Sequence, residues 1–117
     1  MKILVTGGRA YNNQRAVFEY LTRLDGELPG GIDLVIQGGA EGADKHARLW
    51  ACANQRPCAT FHAHWHTLGK AAGPLRNEWM LEFARPDIVI AFPGGKGTSN
   101  MVTLARRAGI NVRTITP

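Results

Sequence analysis

The sequence has no apolar run near the roughly 18 residues that a membrane-spanning helix needs. It also has only two cysteines, Cys52 and Cys58, which lie in different predicted elements and match neither a disulfide framework nor a paired zinc knuckle. We expect both to be reduced structural thiols. These two scarcities argue against a membrane-spanning domain and against a disulfide-stabilised fold, and they favour a cytoplasmic protein.

Two common catalytic signatures are also missing. No Lys-Ser or Lys-Thr pair follows the glycines at the spacing of a Walker phosphate-binding loop. Neither Ser99 nor either cysteine stands in the glycine-flanked turn that exposes a nucleophile in α/β-hydrolases. The sequence therefore supports neither P-loop hydrolysis nor a nucleophilic triad.

The remaining composition describes one compact domain over residues 1–117. Hydrophobic residues make up 44% and charged residues 20% of the chain, which suits a single core. Lysine and arginine outnumber the acidic residues by 14 to 9, and the net charge of +5 favours anionic small ligands or polyanions. Because the basic residues are dispersed, with Arg106-Arg107 as the only adjacent pair, nucleic-acid binding stays an open alternative.

Apolar stretches alternate with amphipathic ones along the chain. The pattern predicts strands at 2–6, 33–37, 58–63, 87–92 and 111–115. It predicts helices at 13–25, 43–55, 74–84 and 98–108. Such alternation is typical of an α/β fold with a doubly wound, mainly parallel five-stranded sheet and helices on both faces.

Three of the predicted strands run directly into glycine turns that precede helices. The turns are Gly7-Gly8-Arg9, Gly38-Gly39-Ala40-Glu41-Gly42, and Pro93-Gly94-Gly95-Lys96-Gly97. Thr98 is the predicted N-cap of the last helix, which ends at Gly109. Glycine turns before helices expose backbone amides to anions, and the carboxyl ends of parallel strands meet at one edge of a sheet. The three turns therefore predict one shared phosphate pocket.

Arg76 is a candidate phosphate ligand. It falls after Pro74 in the first turn of helix 74–84, where the helix dipole disfavours a cation by up to about 1 kcal/mol. We interpret this unfavourable position as a sign that Arg76 faces a phosphate, with a solvated surface arginine as the alternative. Asn77, next to it, is either a ligand or a local cap.

Asp44 begins helix 43–55, where a carboxylate suits the helix dipole. It is therefore either an ordinary first-turn residue or the acid that binds ribose hydroxyls. Glu41 is the other candidate for that acid, since it lies nearer to the glycines of the turn. Arg9 is expected to contact a base or a phosphate. Tyr11 either does the same or packs beneath the first helix.

The long connection 64–73 follows a strand end and has no periodicity of its own, so it is predicted to be a lid. His62, His64 and His66 alternate and would share one face if the strand continued. The predicted end of the strand and the lack of a nearby acid or thiol favour polar loop histidines over a metal site. Neither a metal nor a cofactor is expected.

Four segments together resemble the YspA/YpsA-related branch of the SLOG superfamily, and the match covers nearly the whole chain. They are Gly7-Gly8-Arg9-x-Tyr11, Gln37-Gly38-Gly39-Ala40-x-Gly42-Ala43-Asp44, Gly69-Lys70-Ala71-Ala72-Gly73-Pro74-x-Arg76-Asn77-x-x-Met80, and Phe92-Pro93-Gly94-Gly95-x-Gly97-Thr98. The resemblance implies a Rossmann-like fold and a pocket for a nucleotide or nucleotide derivative. The superfamily includes the LOG phosphoribohydrolases and the DprA proteins, which bind single-stranded DNA.

The sequence departs from the LOG pattern at one position. LOG enzymes carry an Arg followed four residues later by a Met, which Arg76 and Met80 match, and a PGGxGTxxE motif whose Glu is catalytic. Met101 stands where that acid should be. The carboxylate that would stabilise positive charge on ribose is therefore missing, unless Asp44 or Glu41 replaces it.

The leading hypothesis is a domain that binds or senses a nucleotide or nucleotide-derived ligand. The expected ligand-binding residues are Gly7, Gly8, Arg9, Tyr11, Gly38, Gly39, Gly42, Asp44, Arg76, Asn77, Pro93, Gly94, Gly95, Lys96, Gly97 and Thr98. Alternatives are a hydrolase of nucleotide N-glycosidic bonds, with Asp44, Glu41 and Arg76 as catalytic candidates, and a DprA-like binder of single-stranded nucleic acid. The family resemblance predicts a homo-oligomer, most simply a dimer. Three tryptophans support this prediction, because they give a small sheet apolar surface to cover; they are Trp50, Trp65 and Trp79.

Overall fold

Five parallel strands form one sheet in the computed structural model, which describes residues 1–117. The strands are β1 (Lys2–Thr6), β2 (Leu34–Gln37), β3 (Cys58–Thr60), β4 (Ile88–Ala91) and β5 (Asn111–Thr114). Their order across the sheet is β3-β2-β1-β4-β5, so successive connections move outward in one direction from β1 and then in the other from β4. The predicted doubly wound α/β sheet is confirmed, and all of its strand pairs are parallel.

The central strands owe their position to apolar residues on both faces. In β1, Ile3, Leu4 and Val5 are all buried, and Ile3 and Leu4 pair in register with Ile88 and Val89 of β4. A parallel strand covered by helices on both faces must be apolar at consecutive positions, which is the pattern seen here. The edge strands β3 and β5 are shorter or more exposed.

The helices connecting the strands cover both faces of the sheet. They are α1 (Gln14–Glu27), α2 (Ala43–Ala53), α3 (Trp65–Leu68), α4 (Ala72–Trp79) and α5 (Lys96–Arg107). Helices α1 and α2 pack on one face in a core of 14 buried residues that includes Leu21 and Trp50. The other face has a smaller core of 6 buried residues, among them Met80 and Met101. No helix is both long enough and apolar enough to cross a membrane.

Two predicted helix starts were wrong. The helix expected at 74–84 begins two residues earlier, after a 3-10 turn at Gly69–Ala71, and ends in a π-helical turn at Met80–Ala84. Pro74 is tolerated as its third residue because the first four amides of a helix have no partner within it. The helix expected from Thr98 begins at Lys96, so Thr98 is its third residue and not its N-cap.

The connection 64–73 is more ordered than predicted. It contains α3 and the 3-10 turn, and its last two residues already belong to α4. None of the residues in α3 or the 3-10 turn is buried. The segment is therefore helical but lies on the surface, beyond the carboxyl end of β3.

Candidate functional site

A cavity of about 620 Å³ lies where the strand order reverses, between β1 and β4. Residues 6–9 after β1 and residues 95–98 after β4 form two of its walls, and α4 forms a third through Arg76 and Asn77. Open parallel sheets bind ligands at this reversal, and the volume falls within the roughly 300–1,000 Å³ of small-molecule sites. We refer to this space as the larger cavity.

The first and third glycine turns touch each other directly. The Gly8 N–H donates to the Pro93 carbonyl oxygen at 2.9 Å, and the Gly8 carbonyl accepts from Tyr11 and Ala43. A Cβ atom at Gly94 would collide with the Gly8 nitrogen and with Thr98 Oγ1. Only glycine fits at position 94, because the two turns cross there in backbone-to-backbone contact.

The second glycine turn does not offer its amides to a ligand, contrary to the prediction that glycines 38 and 39 bind phosphate through their backbone. The N–H groups of Gly38 and Ala40 donate to Asp44 Oδ2 at 3.2 and 3.3 Å. The Gly39 N–H donates to Gln37 Oε1 at 2.6 Å, and Gln37 Nε2 donates to Thr60 Oγ1. Gln37 and Asp44 thus hold the turn in place and occupy the backbone donors of residues 38–40.

The free amides lie at the start of α5. Lys96, Gly97 and Thr98 have N–H groups that donate no hydrogen bond within the protein, and all three residues line the larger cavity. Gly95, at the capping position, has no side chain to accept from them. These amides and the positive end of the α5 dipole have the geometry that the glycine pattern predicted for an anion site, and the Gly7 and Arg9 amides beside them also donate no hydrogen bond within the protein.

Asp44 is a buried carboxylate with one free oxygen. Its exposed fraction is 6%, and Oδ2 accepts the two backbone bonds described above, whereas Oδ1 has no partner in the protein. Burial raises the pKa of Asp44 from its ordinary 3.8 to about 6, against the opposing effects of the Ala40 and Gly38 amides and the Arg76 and Arg9 charges. Asp44 therefore titrates close to neutral pH inside the cavity.

Arg76 is anchored at two guanidinium nitrogens and free at the third. Nη1 donates to the carbonyl oxygens of Gly38 and Phe61 at 2.8 and 3.4 Å, and Nε donates to Asn77 Oδ1 at 3.0 Å. Nη2 has no partner in the protein. Burial lowers the pKa of Arg76, and the nearby Asp44 carboxylate opposes that shift. Since Arg76 is the fifth residue of α4, the dipole argument made from the sequence does not apply to it.

Asn77 joins the two helices that carry the site. It is 3% exposed, its Nδ2 donates to the Gly97 carbonyl at 3.2 Å and to Asn100 Oδ1 at 2.9 Å, and its Oδ1 accepts from Arg76. All its polar atoms are occupied. It positions Arg76 relative to the start of α5 and is not a local cap, and its role as a ligand stays a prediction.

Cations that lack a carboxylate partner surround the larger cavity. Arg9, Lys70 and Lys96 line it, and none of them takes part in the four ion pairs of the structure. The Arg9 guanidinium lies 5.5 Å from the centre of the Trp65 ring, a cation–π arrangement. The cavity is therefore electropositive, with Asp44 as its one acidic group.

A second cavity of about 310 Å³ adjoins the first, and we refer to it as the smaller cavity. Arg9, Trp65 and Arg76 line both spaces. The smaller cavity is otherwise bounded by the Gly38–Gly39 turn, Glu41 and His62.

Most of the predicted site residues line one cavity or the other. Those that do are Gly7, Gly8, Arg9, Gly38, Gly39, Glu41, Asp44, Arg76, Asn77, Gly95, Lys96, Gly97 and Thr98. Four predicted residues line neither cavity and belong to the turns or pack against them: Tyr11, Gly42, Pro93 and Gly94. The Tyr11 ring packs 5.5 Å from the Phe92 ring. A Cβ at Gly42, where φ is +77°, would strike the Gly8 carbonyl oxygen.

Residues that sequence reasoning missed include Trp65 and Asn100, which line the larger cavity, and Gln37, which orients the second turn. Asn100 follows the PGGKGT segment by two residues, and that spacing was the available signal. Met101, where the LOG catalytic Glu would stand, is 0% exposed and packs in the smaller core. The strand ends at Thr60, so His62, His64 and His66 share no strand face.

Comparison with known proteins places the chain in a family. The family model described as YAcAr, the YspA, cpYpsA-related SLOG family, matches residues 1–67, more than half of the chain. The Gene 61 protein of Mycobacterium phage D29 is 36% identical over 119 residues, covering 95% of this chain and 93% of that protein. The chain belongs to the YspA, cpYpsA-related SLOG family. Its membership supports a role related to nucleotides or nucleic acid.

Among solved structures, the SLOG chain is similar to DNA processing protein A (DprA) from Streptococcus pneumoniae. The TM-score is 0.78 at 19% sequence identity. The alignment covers 99% of this chain and 50% of the DprA chain, so the SLOG chain spans half the length of that protein. At this identity the likeness concerns the fold, and it confirms the predicted Rossmann-like architecture.

Proposed function

We propose that this SLOG domain binds a nucleotide or nucleotide-derived ligand in the larger cavity, with a ligand phosphate at the start of α5. The observation that carries the proposal is the convergence of three unpaired amides, at Lys96, Gly97 and Thr98, on a cavity that is also lined by Arg76. An anion there would receive backbone donors, the helix dipole and a guanidinium at once.

Asp44 supports a nucleotide over a simple anion. A phosphate alone gains nothing from a neighbouring carboxylate, whereas a sugar offers hydroxyl donors to the free Oδ1. We assign Asp44 to the ribose hydroxyls, Arg76 and Arg9 to the phosphate, and Asn77 to the positioning of Arg76.

A second candidate function is hydrolysis of a nucleotide N-glycosidic bond with Asp44 as the acid or base. The observation in its favour is the pKa of Asp44, about 6, which suits proton transfer near neutral pH. Met101 gives no support, because its side chain lies in the core and outside the cavity lining. Base release from a nucleotide that disappears in Asp44→Asn would support this activity, and equal turnover in Asp44→Asn would remove Asp44 from the mechanism.

Nucleic acid is the alternative polymeric ligand. The unpaired cations at the cavity and the net charge of +5 would attract a phosphate backbone. The affinity of such a complex must fall steeply as salt is added. A salt-independent affinity for a short single-stranded oligonucleotide would contradict this alternative.

The deciding experiment compares two glycine-to-alanine variants by isothermal titration calorimetry with AMP, ADP-ribose, NAD and the oligonucleotide. Gly97 lies in the first turn of α5, and Gly26 lies near the end of α1, remote from both cavities. A Cβ at either position meets no atom within 4 Å. Both substitutions are therefore compatible with the fold, but only the Gly97→Ala methyl enters the space where an anion would approach the amides.

We expect at least one of the nucleotides to bind the wild type and Gly26→Ala equally and to bind Gly97→Ala about tenfold more weakly, a difference of about 1.4 kcal/mol. Equal affinity in all three proteins would place the phosphate away from the start of α5. If none of the four ligands binds the wild type, the proposal is wrong for the classes they represent.

Homo-oligomerisation, most simply as a dimer, stays a prediction. Phe83, on the π-helical turn, is 67% exposed and gives the surface a large apolar side chain that a second copy would cover. Light scattering of the wild type and Phe83→Ser tests it. A dimer formed through this surface must dissociate into monomers at a higher protein concentration in the variant than in the wild type.

A further inference from the structure

Arg9 and Trp65 lie where the two cavities adjoin, together with Ala40 and Arg76. Both residues line both spaces, and the Arg9 guanidinium lies 5.5 Å from the Trp65 ring centre. Neither side chain has another polar partner: Arg9 makes no hydrogen bond or ion pair in the protein. A cation–π contact at an exposed site is weak, so Arg9 can exchange it for a stronger bond to an anion.

The large aromatic side chain of Trp65 makes few packing contacts. It is 46% exposed and lies in α3, which has no buried residue. One edge of its ring rests on α4 at Gly73, where a Cβ would come within 3.1 Å of Cη2. No other aromatic ring pairs with it. Of the three tryptophans, Trp50 is buried and Trp79 is half-buried, so Trp65 alone offers an open ring face beside the cavities.

The other walls of the smaller cavity combine small side chains with polar groups. Gly38, Gly39, Ala40 and Ala63 leave room, and His62 lies so close to Gly39 that a Cβ there would be 2.8 Å from Nδ1. Glu41 is an acceptor, and the His62 ring can donate or accept. A flat heterocycle with donors and acceptors on its edge has the chemistry that such walls accommodate.

We propose that the smaller cavity binds the nucleobase of the ligand and that Trp65 is the ring on which the base stacks. This inference rests on the proposed function, since the phosphate of the same ligand would lie in the larger cavity. Arg9 turns from Trp65 to the phosphate when the ligand enters, so the two cavities become continuous and the ring face is exposed to the base. Trp65 is then a specificity-determining residue that distinguishes nucleotides from other phosphorylated sugars.

The test compares ligands that differ only by the base. Ribose 5-phosphate is titrated beside AMP, GMP, CMP and UMP into the wild type, Trp65→Ala, Trp65→Phe and Trp79→Phe, with affinity measured by calorimetry. Tryptophan fluorescence of the wild type and of Trp65→Phe is recorded in parallel, because a base stacked on Trp65 changes the emission of that tryptophan alone. Circular dichroism of each variant checks the fold.

We expect at least one mononucleotide to bind the wild type more tightly than ribose 5-phosphate. Trp65→Ala should lower that nucleotide's affinity by about tenfold, equivalent to about 1.4 kcal/mol, and leave ribose 5-phosphate unchanged. Trp65→Phe should retain most of the affinity and lose the fluorescence response, and Trp79→Phe should behave as the wild type.

Three outcomes would overturn the inference. If ribose 5-phosphate and every mononucleotide bind the wild type equally, the base makes no contact, while the phosphate site stands. If Trp65→Ala weakens both ligand classes alike, Trp65 only supports the fold of the site. If no sugar phosphate binds the wild type at all, the proposed function fails and this inference fails with it.

Discussion

Asp25 and Asp33, at the amino ends of the strands, pair with cations, whereas Asp44, at the carboxyl ends, does not. The amino terminus of Met1 lies 2.5 Å from Asp33 Oδ2, and Arg56 Nη2 lies 2.8 Å from Asp25 Oδ2. At the carboxyl ends the buried Asp44 and the half-buried Arg76 form no ion pair, and the one pair beside the cavities, between Glu41 and Lys45, is 3.5 Å long and exposed. Asp25 and Asp33 are thus neutralised by cations at one end of the sheet, while Asp44 and the cations that line the larger cavity stay unpaired at the other.

Asp25 and Asp44 show the difference most clearly, because their pKa values move in opposite directions. The Ile32 amide and the Arg56 guanidinium lower the pKa of Asp25 below its ordinary 3.8. Burial raises the pKa of Asp44 to about 6. The first carboxylate stabilises the folded chain when it is charged, and the second destabilises it. The opposite shifts thus distinguish a carboxylate held by partners at one end of the fold from one buried without a cationic partner beside the cavity at the other.

The largest expected effect is a gain in stability from Asp44→Asn. The pKa of Asp44 is raised by about two units. The charged side chain therefore lowers the free energy of unfolding by roughly 3 kcal/mol. The asparagine oxygen can still accept from the Gly38 and Ala40 amides. Well below pH 4 Asp44 is protonated in both the folded and the unfolded state and costs nothing, and the cost grows between about pH 4 and pH 6 and is constant above that range. We therefore expect Asp44→Asn to raise the free energy of unfolding at pH 7 by up to about 3 kcal/mol.

Urea denaturation of Asp44→Asn and the wild type between pH 4 and pH 8 measures this effect. The difference between them should be small at pH 4 and reach its plateau above pH 6. A difference that is constant with pH would show that ionisation of Asp44 is not its cause.

Asp25→Ala should give the opposite result at the amino end. The substitution removes the bonds to the Ile32 amide and to Arg56, both 2.8 Å long, and should lower the free energy of unfolding at pH 7 by about 2 kcal/mol. The stability from Asp25 is fully present above pH 4 and is lost as pH falls through its lowered pKa. The deficit of Asp25→Ala relative to the wild type should therefore shrink below pH 4. A deficit that persists at pH 2 would assign it to packing.

Gly97→Ala and Gly26→Ala place one methyl group at each end of the sheet. Each should raise the stability of the free protein by a few tenths to about 1 kcal/mol, because alanine is the better helix former and neither methyl meets an atom. In thermal-shift measurements with a saturating nucleotide, only Gly97→Ala should lose part of the shift produced by the ligand. If Gly97→Ala instead lowers the stability of the free protein, its ligand effect would no longer locate the phosphate.

The smallest effect is expected from Asp33→Asn. The ion pair between Asp33 and the Met1 amino group is exposed, since the side chains of Met1 and Asp33 are 45% and 72% exposed. Such surface pairs contribute roughly 0–1 kcal/mol to stability. We expect a change below about 0.5 kcal/mol that disappears in 1 M NaCl, measured by urea denaturation. A loss above 1 kcal/mol would mean that even the exposed pairs of this end matter to the fold.

Much of the fold could be predicted from the sequence, since its signals are local. Consecutive apolar residues in β1 and β4, and glycines directly after them, predict buried parallel strands that end at a common edge. Helix starts were less accurate because Gly95 and Ala71 cap helices without a side-chain signal, whereas Thr98 and Pro74 are strong but misleading ones.

The position of the candidate site could be predicted from the sequence, but its hydrogen bonds could not. Glycine turns, Asp44 and Arg76 indicated the edge of the sheet where both cavities lie. Which amides stay free depends on competition from Gln37 and Asp44, and that competition is decided by three-dimensional positions. Trp65 gave no signal, because its role depends on contacts with Arg9 and Gly73 that lie far away in the sequence.

The central position of β1 has a consequence for the growing chain on the ribosome. β1 can pair with β2 once residues 34–37 have emerged, but its other edge must wait for residues 88–91 of β4. During that interval Ile3, Leu4 and Val5 lie along an open edge that can recruit another nascent chain. The central strand of the finished sheet is therefore the one most in need of protection during synthesis.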